Sequence, residues 1–271
     1  MERMGGSGMS RVNEPQKPNC FSVGSAHIRH IDCLKGLQSI EENSVDCIVT
    51  SPPYNKGTQK QKTGNQIWKG FKIDYDEYQD NKSEEEYAEW MIEVLNELYR
   101  VIKPNGSVFF NHKVILRNCV GHFPTWVLNS KLYLYQMIIW NRMCSSNMRS
   151  ETLYPTYEII FWMVKGKPQV FKSQAKYQND IWNILPDRKN AHPAPFPYAL
   201  AENCINLSCP KGKSCLVVDP FSGSGTTALA AKNNGHSFIG FEISSEYIKM
   251  AQDRIAGVSV SGNGMIQDPL F

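Results

Sequence analysis

The strongest constraint on the fold of this chain is a short apolar run that ends in two adjacent prolines. Residues 45–49 read Val-Asp-Cys-Ile-Val, and after Thr50 come Ser51, Pro52, Pro53 and Tyr54. Proline lacks a backbone N–H and fixes φ, so a strand formed by the apolar run must stop at this pair. The proline turn therefore presents a small hydroxyl, a rigid carbonyl and an aromatic ring at one point. Such groups could clamp a flat ring that bears an amine.

A second feature, far downstream, is an apolar run that leads into a glycine-rich turn and then a helix. The run over residues 215–219 is followed by Pro220, Phe221, Ser222, Gly223, Ser224, Gly225 and Thr226. Small residues let backbone N–H groups approach a ligand without a Cβ in the way. Gly223, Gly225 and Ala228 also fit the dinucleotide-binding fingerprint, and Glu242, at the end of the next predicted strand, could bind a ribose diol.

Three interpretations of this glycine turn are open on its residues alone. It could be a tight turn without a ligand, a nicotinamide or flavin site, or a site for a cofactor that carries an ammonium group. Asp219, which precedes Pro220 and Phe221 at a strand terminus, favours the third, because S-adenosylmethionine has an ammonium and a dinucleotide lacks one. No lysine follows Gly225, so a triphosphate-binding loop is excluded.

Strands and helices alternate along the chain. Ser83, followed three residues later by Glu86, predicts a capping box at the start of a long helix whose apolar residues keep helical spacing up to Ile102. A further helix is predicted over residues 115–129. The alternation predicts an α/β protein: a three-layer α/β/α sandwich around a mixed, mostly parallel sheet.

Charge is distributed unevenly, although the net charge is only +3. Five lysines and no acid occur between residues 56 and 72, namely Lys56, Lys60, Lys62, Lys69 and Lys72. A polyanion would dock at this basic segment, directly after the proline turn. A solvated loop beside an acidic helix is the alternative interpretation of the same cluster.

The eight cysteines contain no C-x-x-C pair, and the sequence predicts reduced thiols in an intracellular protein without a metal site. No apolar run is long enough to span a membrane, and residues 1–19 carry no signal-peptide core.

The two turns together predict group transfer to a nucleobase. An exocyclic amino group on cytosine or adenine is a poor nucleophile, because its lone pair is delocalised into the ring. The Ser51 hydroxyl and the Pro52 carbonyl can accept hydrogen bonds from its two N–H groups and so free that lone pair. Tyr54 can stack on the base, which typically stabilises binding by about 1–3 kcal/mol. Most of the acceleration then comes from orienting the nitrogen against a methylsulfonium.

These residues resemble the amino-group DNA methyltransferases of the permuted beta class, in which the catalytic motif precedes the cofactor motif. The resemblance implies that Ser51, Pro52, Pro53 and Tyr54 are catalytic. It also implies a set of cofactor-binding residues: Asp32, Cys33, Phe196, Asp219, Pro220, Phe221, Ser222, Gly223, Gly225, Thr226 and Glu242. Residues 154–158 resemble the strand that helps form the target-base pocket.

The resemblance further implies one Rossmann-like domain with seven strands over residues 20–256, between tails at residues 1–19 and 257–271. Within it, residues 20–165 form the catalytic half, residues 166–190 the recognition segment and residues 191–256 the cofactor half. S-adenosyl-L-methionine is the implied cofactor, and double-stranded DNA with a flipped-out base is the implied partner. A homodimer is one assembly it allows. The location would be cytoplasmic, with the nucleoid, in a bacterium and nuclear in a eukaryote.

The target atom stays open between two amino groups. Serine at the first motif position is associated in this family more with cytosine N4 than with adenine N6, so cytosine N4 is favoured and adenine N6 is the alternative. Methylation of RNA or of protein glutamine is a more distant alternative, because those enzymes place the glycine turn first. Transfer to cytosine C5 is disfavoured, since no Pro-Cys pair is present to supply a thiolate.

Overall fold

The computed structural model describes residues 20–23, 26–55, 82–117, 120–145, 152–187 and 196–257. The strands are β1 (Cys20–Val23), β2 (Ala26–His30), β3 (Val45–Thr50), β4 (Ile102–His112), β5 (Ile115–Arg117), β6 (Val120–His122), β7 (Tyr133–Asn141), β8 (Tyr157–Val164), β9 (Ile181–Asn183), β10 (Leu216–Asp219) and β11 (Ser237–Glu242). The helices are α1 (Cys33–Gln38), α2 (Glu84–Val101), α3 (Tyr198–Ser208), α4 (Thr226–Asn233) and α5 (Ser245–Ala256). The predicted tails, apart from Gly257, lie outside the described residues.

The main sheet has the strand order β1-β2-β11-β10-β3-β4-β8-β7-β9. Strands β2, β11, β10, β3 and β4 are parallel to one another, whereas β1 is antiparallel to β2 and β8 runs antiparallel between β4 and β7. The predicted fold class is confirmed. The described sheet has nine strands rather than seven, and the two additional strands are the edge strands β1 and β9.

Helices cover both faces of the sheet because side chains alternate along each central strand. In β3, Cys47 and Val49 belong to the core cluster that contains the buried residues of α3, α4 and α5. Ile48, between them, belongs to the second cluster, which contains the buried residues of α1 and α2. The predicted three layers are therefore present.

The first turn of α2 forms as predicted. The Ser83 hydroxyl accepts from the Glu86 backbone, and the Glu86 carboxylate accepts from the Ser83 backbone. The predicted helix over residues 115–129 is wrong: β5 and β6 pair antiparallel, and within the described part of this range only Thr125–Asn129 is helical, as a 3-10 turn. Pro124 explains part of the difference, since the residue before a proline is driven away from helical geometry.

The centre of the sheet is a topological switch point. From β10 the chain passes through α4 to β11 on one side, whereas from β3 it passes through α2 to β4 on the other side. Ligands of open α/β sheets bind where neighbouring strands depart in opposite directions, outside their carboxyl ends. Within the part of the chain that is described, no helix is both long enough and apolar enough to cross a membrane.

Candidate active site

The proline turn and the glycine turn lie side by side at the carboxyl edge of the sheet. β3 and β10 are neighbouring parallel strands, with Cys47 opposite Val217. At their ends, Thr50 Oγ1 donates to Asp219 Oδ1 at 2.7 Å, although the two residues are 169 positions apart in the chain. The fold thus brings together the two motifs that the sequence singled out.

Asp219 is 5% exposed, and both of its carboxylate oxygens accept hydrogen bonds. Thr227 Oγ1 donates to Oδ2 at 2.8 Å, and the Phe221 backbone N–H donates to Oδ1 at 3.1 Å. Burial raises the pKa of Asp219 to about 6, against the lowering effect of these bonds. A cationic ligand group beside Asp219 would favour the ionised carboxylate.

Two glycines of the glycine turn adopt left-handed backbone geometry, with φ of 48° at Gly223 and 77° at Gly225. A Cβ at Gly225 would lie 2.7 Å from the Ala251 Cβ on α5, so both φ and helix packing require glycine there. From the same helix, Arg254 Nη1 donates to the Ser224 carbonyl at 2.8 Å and to Thr226 Oγ1 at 3.1 Å. Helix α5 therefore fixes the glycine turn from behind.

Glu242, at the end of β11, closes the glycine turn from the opposite side. Its Oε2 accepts from the Gly223 N–H at 2.8 Å, and its Oε1 accepts from the N–H groups of Ile243 and Ser244, each at 2.9 Å. Burial raises the pKa of Glu242, while the three N–H groups act in the opposite direction. The carboxylate lies where the sequence predicted a ribose ligand, at the strand end next to the turn.

Asp32 and Cys33 lie at the end of the next strand along the sheet, because β2 pairs with β11. The Asp32 side chain caps α1 by accepting from the backbone N–H groups of Leu34 at 3.0 Å and Lys35 at 3.2 Å. The Cys33 thiol is buried, and burial raises its pKa, with the Asp32 charge adding to the rise. Asp32 and Glu242 therefore belong to one continuous edge.

Among the other predicted cofactor residues, Phe221 and Ser222 lie in the turn and Phe196 precedes α3. Phe221 packs edge-on against Trp90, with ring centroids 5.8 Å apart, and the buried Ser222 Oγ has no hydrogen-bond partner. Phe196 lies against Trp140, with ring centroids 6.4 Å apart. The Ser222 hydroxyl packs against Gly240 of β11, where an added Cβ would lie 2.6 Å from its Oγ.

The catalytic candidates Ser51 and Tyr54 join a buried polar network. Ser51 Oγ lies 2.8 Å from Tyr54 Oη, and Tyr54 Oη donates to Glu158 Oε2 at 3.0 Å. Asn111 Nδ2 donates to Tyr54 Oη at 2.6 Å and to Glu158 Oε2 at 2.9 Å. Burial and the negative charge of Glu158 raise the pKa of Tyr54 well above its ordinary value, so the phenol keeps its proton.

Pro53 is held by a different group. Tyr87 Oη, from α2, donates to the Pro53 carbonyl at 2.7 Å and lies 3.0 Å from His112 Nε2. The His112 ring packs on Tyr54, with centroids 4.8 Å apart. The proline turn is therefore fixed from α2 and from the end of β4, in addition to its own rigidity.

Sequence reasoning did not identify Asn111, His112 or Tyr87 as site residues, and it noted Glu158 only within a strand. Asn111 and His112 close β4 at the carboxyl edge, and both are buried polar residues. Glu158 is near the start of β8, but β8 runs antiparallel, so its start lies at that same edge. For Asn111 and His112, the sequence signal that could have identified them is a pair of polar residues at the end of an apolar run.

The predicted DNA-contacting lysines, Lys56, Lys60, Lys62, Lys69 and Lys72, lie outside the described residues. The residues on either side of that gap meet, because Asn55 Nδ2 donates to the Lys82 carbonyl at 3.0 Å. Among the described residues, no group of three or more His, Cys, Asp or Glu side chains could hold a metal ion.

Comparison with known proteins identifies the family that this arrangement belongs to. Residues 45–253 match the DNA methylase family of N6 and N4 amino-methyltransferases, so the chain belongs to that family of DNA methyltransferases. The match begins in β3 and ends in α5, and it includes both turns.

One curated relative and two solved structures show how this family resembles the chain. A DNA adenine methyltransferase of Escherichia coli K12, YhdJ, is 29% identical over 88% of this chain and 85% of its own length. The fold resembles that of the cytosine-N4-specific PvuII DNA methyltransferase, with a TM-score of 0.71 and 22% identity over 91% of this chain and 95% of that one.

The second structure is a candidate DNA modification methylase from Thermus thermophilus in complex with S-adenosyl-L-methionine. It has a TM-score of 0.60 and 23% identity over 85% of this chain and 93% of that one. The relatives thus include an enzyme named for adenine, while one fold neighbour is named for cytosine N4.

Proposed function

We propose that this DNA methyltransferase transfers a methyl group from S-adenosyl-L-methionine to the exocyclic N4 of a flipped-out cytosine in DNA. The observation that carries the proposal is the hydroxyl of Ser51 at the end of β3, beside the Asp219 end of β10. A hydroxyl at that position can accept an amine proton without adding a charge to the pocket. A solved protein of the same fold is named for the same atom.

The chain's own groups position the amine. Ser51 Oγ and the Pro52 carbonyl accept hydrogen bonds from the two N–H groups of the amine, which draws the nitrogen toward tetrahedral geometry. The nitrogen bonds to the methyl carbon as the carbon–sulfur bond breaks, and the surplus proton leaves to solvent afterwards. Orientation supplies most of the acceleration.

The glycine turn and its neighbours hold the methyl donor. Asp219 binds the ammonium of S-adenosyl-L-methionine, Glu242 binds the ribose hydroxyls, and Asp32 accepts from the adenine amino group. One observation supports this assignment: the three carboxylates lie at or directly after the ends of the adjacent strands β2, β11 and β10. The cofactor supplies an activated methyl on a sulfonium.

The basic segment binds the DNA backbone. Neutralising Lys56, Lys60 and Lys62 together removes up to three phosphate contacts, so the slope of log affinity against log salt should become shallower by about 3. Fluorescence anisotropy with duplex DNA at several salt concentrations measures this slope. An unchanged slope and affinity would leave the lysines as solvated surface.

Nucleoside mass spectrometry tests the methylated atom. DNA from cells that express the protein is digested, and N4-methylcytosine and N6-methyladenine are quantified beside DNA from cells that express Ser51→Ala. N4-methylcytosine that depends on Ser51 is expected. N6-methyladenine alone would transfer the assignment to the alternative, which the relationship to an adenine enzyme favours. Methylation of RNA or protein without DNA would overturn the proposal.

A further inference from the structure

We infer that Glu158, acting through the Tyr54 phenol, fixes Ser51 as a hydrogen-bond acceptor, and that this polarity selects a target base with an amino group over one with a carbonyl oxygen. The inference rests on the proposed function, because it concerns the same base pocket. It assigns a positioning role to Glu158 and a specificity role to the Tyr54 hydroxyl.

The first step follows from the carboxylate. Glu158 is 6% exposed, and its carboxylate forms an ion pair with Arg142, whose Nη1 lies 3.3 Å from Oε1. A carboxylate only accepts hydrogen bonds. Because Oε2 lies 3.0 Å from Tyr54 Oη, the proton between these two oxygens must be the phenol's.

The second step follows from the single proton of Tyr54. Having donated it to Glu158, the phenol oxygen can only accept from its other neighbours. Asn111 Nδ2 fills one acceptor position at 2.6 Å. Its amide cannot be reversed, because Nδ2 also faces Glu158 Oε2 at 2.9 Å. Ser51, at 2.8 Å, must therefore donate its own proton to Tyr54 Oη.

Ser51 then has lone pairs, and no proton, for the target base. An amino group at C4 of cytosine or C6 of adenine donates to Ser51. The oxygen at that position in uracil or hypoxanthine meets the Ser51 lone pairs and receives no hydrogen bond. A buried polar group without a partner costs about 1–3 kcal/mol, which corresponds to a preference of about 5-fold to 150-fold. A serine hydroxyl that rotated freely could form a hydrogen bond with either base and would not discriminate between them.

Glu158→Gln tests the polarity, because a glutamine amide can donate to Tyr54 Oη and let the phenol proton turn toward Ser51. The duplex carries the site mapped from DNA methylated by the wild-type protein, with the target base either intact or replaced by its oxo counterpart. That counterpart is uracil for cytosine or hypoxanthine for adenine. Affinities for both duplexes are measured with S-adenosylhomocysteine present.

The wild type is expected to prefer the amino base by at least about 5-fold, and Glu158→Gln should reduce the ratio of the two affinities toward one while cofactor affinity is unchanged. Differences in base-pair opening cancel, because the same two duplexes are compared across proteins. Glu89→Gln, an exposed site on α2, is the matched control and should keep the wild-type preference.

Wild-type discrimination in a folded Glu158→Gln protein would overturn the inference. If Glu158→Gln does not fold, Tyr54→Phe provides the same test, since it releases the Ser51 proton without removing the carboxylate; unchanged preference in that variant is equally contradictory. A wild-type protein that methylates no amino group in DNA would instead refute the proposed function.

Discussion

The two sides of the active-site edge are stabilised in different ways. Around the glycine turn, contacts join residues close in sequence: Thr227 to Asp219 across 8 positions, and Glu242 to Gly223 across 19. Around the proline turn, side chains join distant segments, with 104 positions between Tyr54 and Glu158. The glycine turn is thus held mostly by contacts close in sequence, although Thr50 reaches Asp219 from 169 positions away, whereas the catalytic side is complete only when β3, β4 and β8 have assembled. Substitutions on the two sides should consequently change different measured quantities.

Ser51→Ala should produce the largest effect, because under the proposed function it removes an acceptor of a hydrogen bond from the reacting amine. Single-turnover methyl transfer should fall by about 100-fold to 1,000-fold, in line with the loss of one preorganised polar contact in other enzymes. Cofactor affinity, measured by calorimetry, should stay unchanged, because Ser51 belongs to the catalytic side. Full activity in this variant would show that the proposed clamp is wrong.

Asp219 should make the cofactor side dependent on pH. Its pKa is about 6 in the folded protein against an ordinary value of 3.8, so the folded state binds the proton more tightly. The stabilisation from this proton is complete below about pH 4 and is lost as pH rises through about 6.

The two-unit shift is worth about 3 kcal/mol. Urea unfolding gives the free energy of unfolding of the wild type and of Asp219→Asn at several pH values between 4 and 7. The difference between the two proteins should change by about this amount across that range. A difference that does not vary with pH would contradict the raised pKa. If Asp219 also binds an ammonium, wild-type cofactor affinity should fall as pH drops below about 6, and Asp219→Asn should lose this dependence.

Gly225→Ala should destabilise the protein by about 2 kcal/mol or more, because it combines left-handed strain with a contact of 2.7 Å to the Ala251 Cβ. Gly212→Ala is a matched control, since φ there is 78° and nothing lies within 4 Å of an added Cβ. Thermal unfolding of both variants separates strain from overpacking. Equal losses in the two variants would show that α5 does not constrain the turn.

Tyr87→Phe should have the smallest effect, a net loss of about 1 kcal/mol, because it removes only a hydroxyl, with its hydrogen bonds to the Pro53 carbonyl and to His112 Nε2. The rate constant for transfer should fall several-fold while the affinity for cofactor remains constant. A change confined to cofactor affinity would show that Tyr87 acts on the glycine turn rather than on the proline turn.

The sequence indicated more of the residues around the glycine turn than around the proline turn. The reason is that most contacts around the glycine turn join residues close in sequence. The glycine turn, the capping box of α2 and the helices α4 and α5 depend on neighbours along the chain, and a local pattern records them. The network of Asn111 and Glu158 depends on strand order and on the antiparallel direction of β8, which no local pattern encodes. The predicted helix over residues 115–129 was wrong, because β5 pairs with β6 there and Pro124 disfavours helical geometry in the residue before it.

Strand order has a practical consequence. β3 and β10 are neighbours in space but come from separate halves of the chain, and no single half supplies both turns. A gene divided between residues 187 and 196 would encode two polypeptides, each inert alone. Expressed together, they could associate through the β3–β10 and β2–β11 pairings and regain activity. Fusing each polypeptide to one member of an inducible binding pair would then make DNA methylation depend on the inducer.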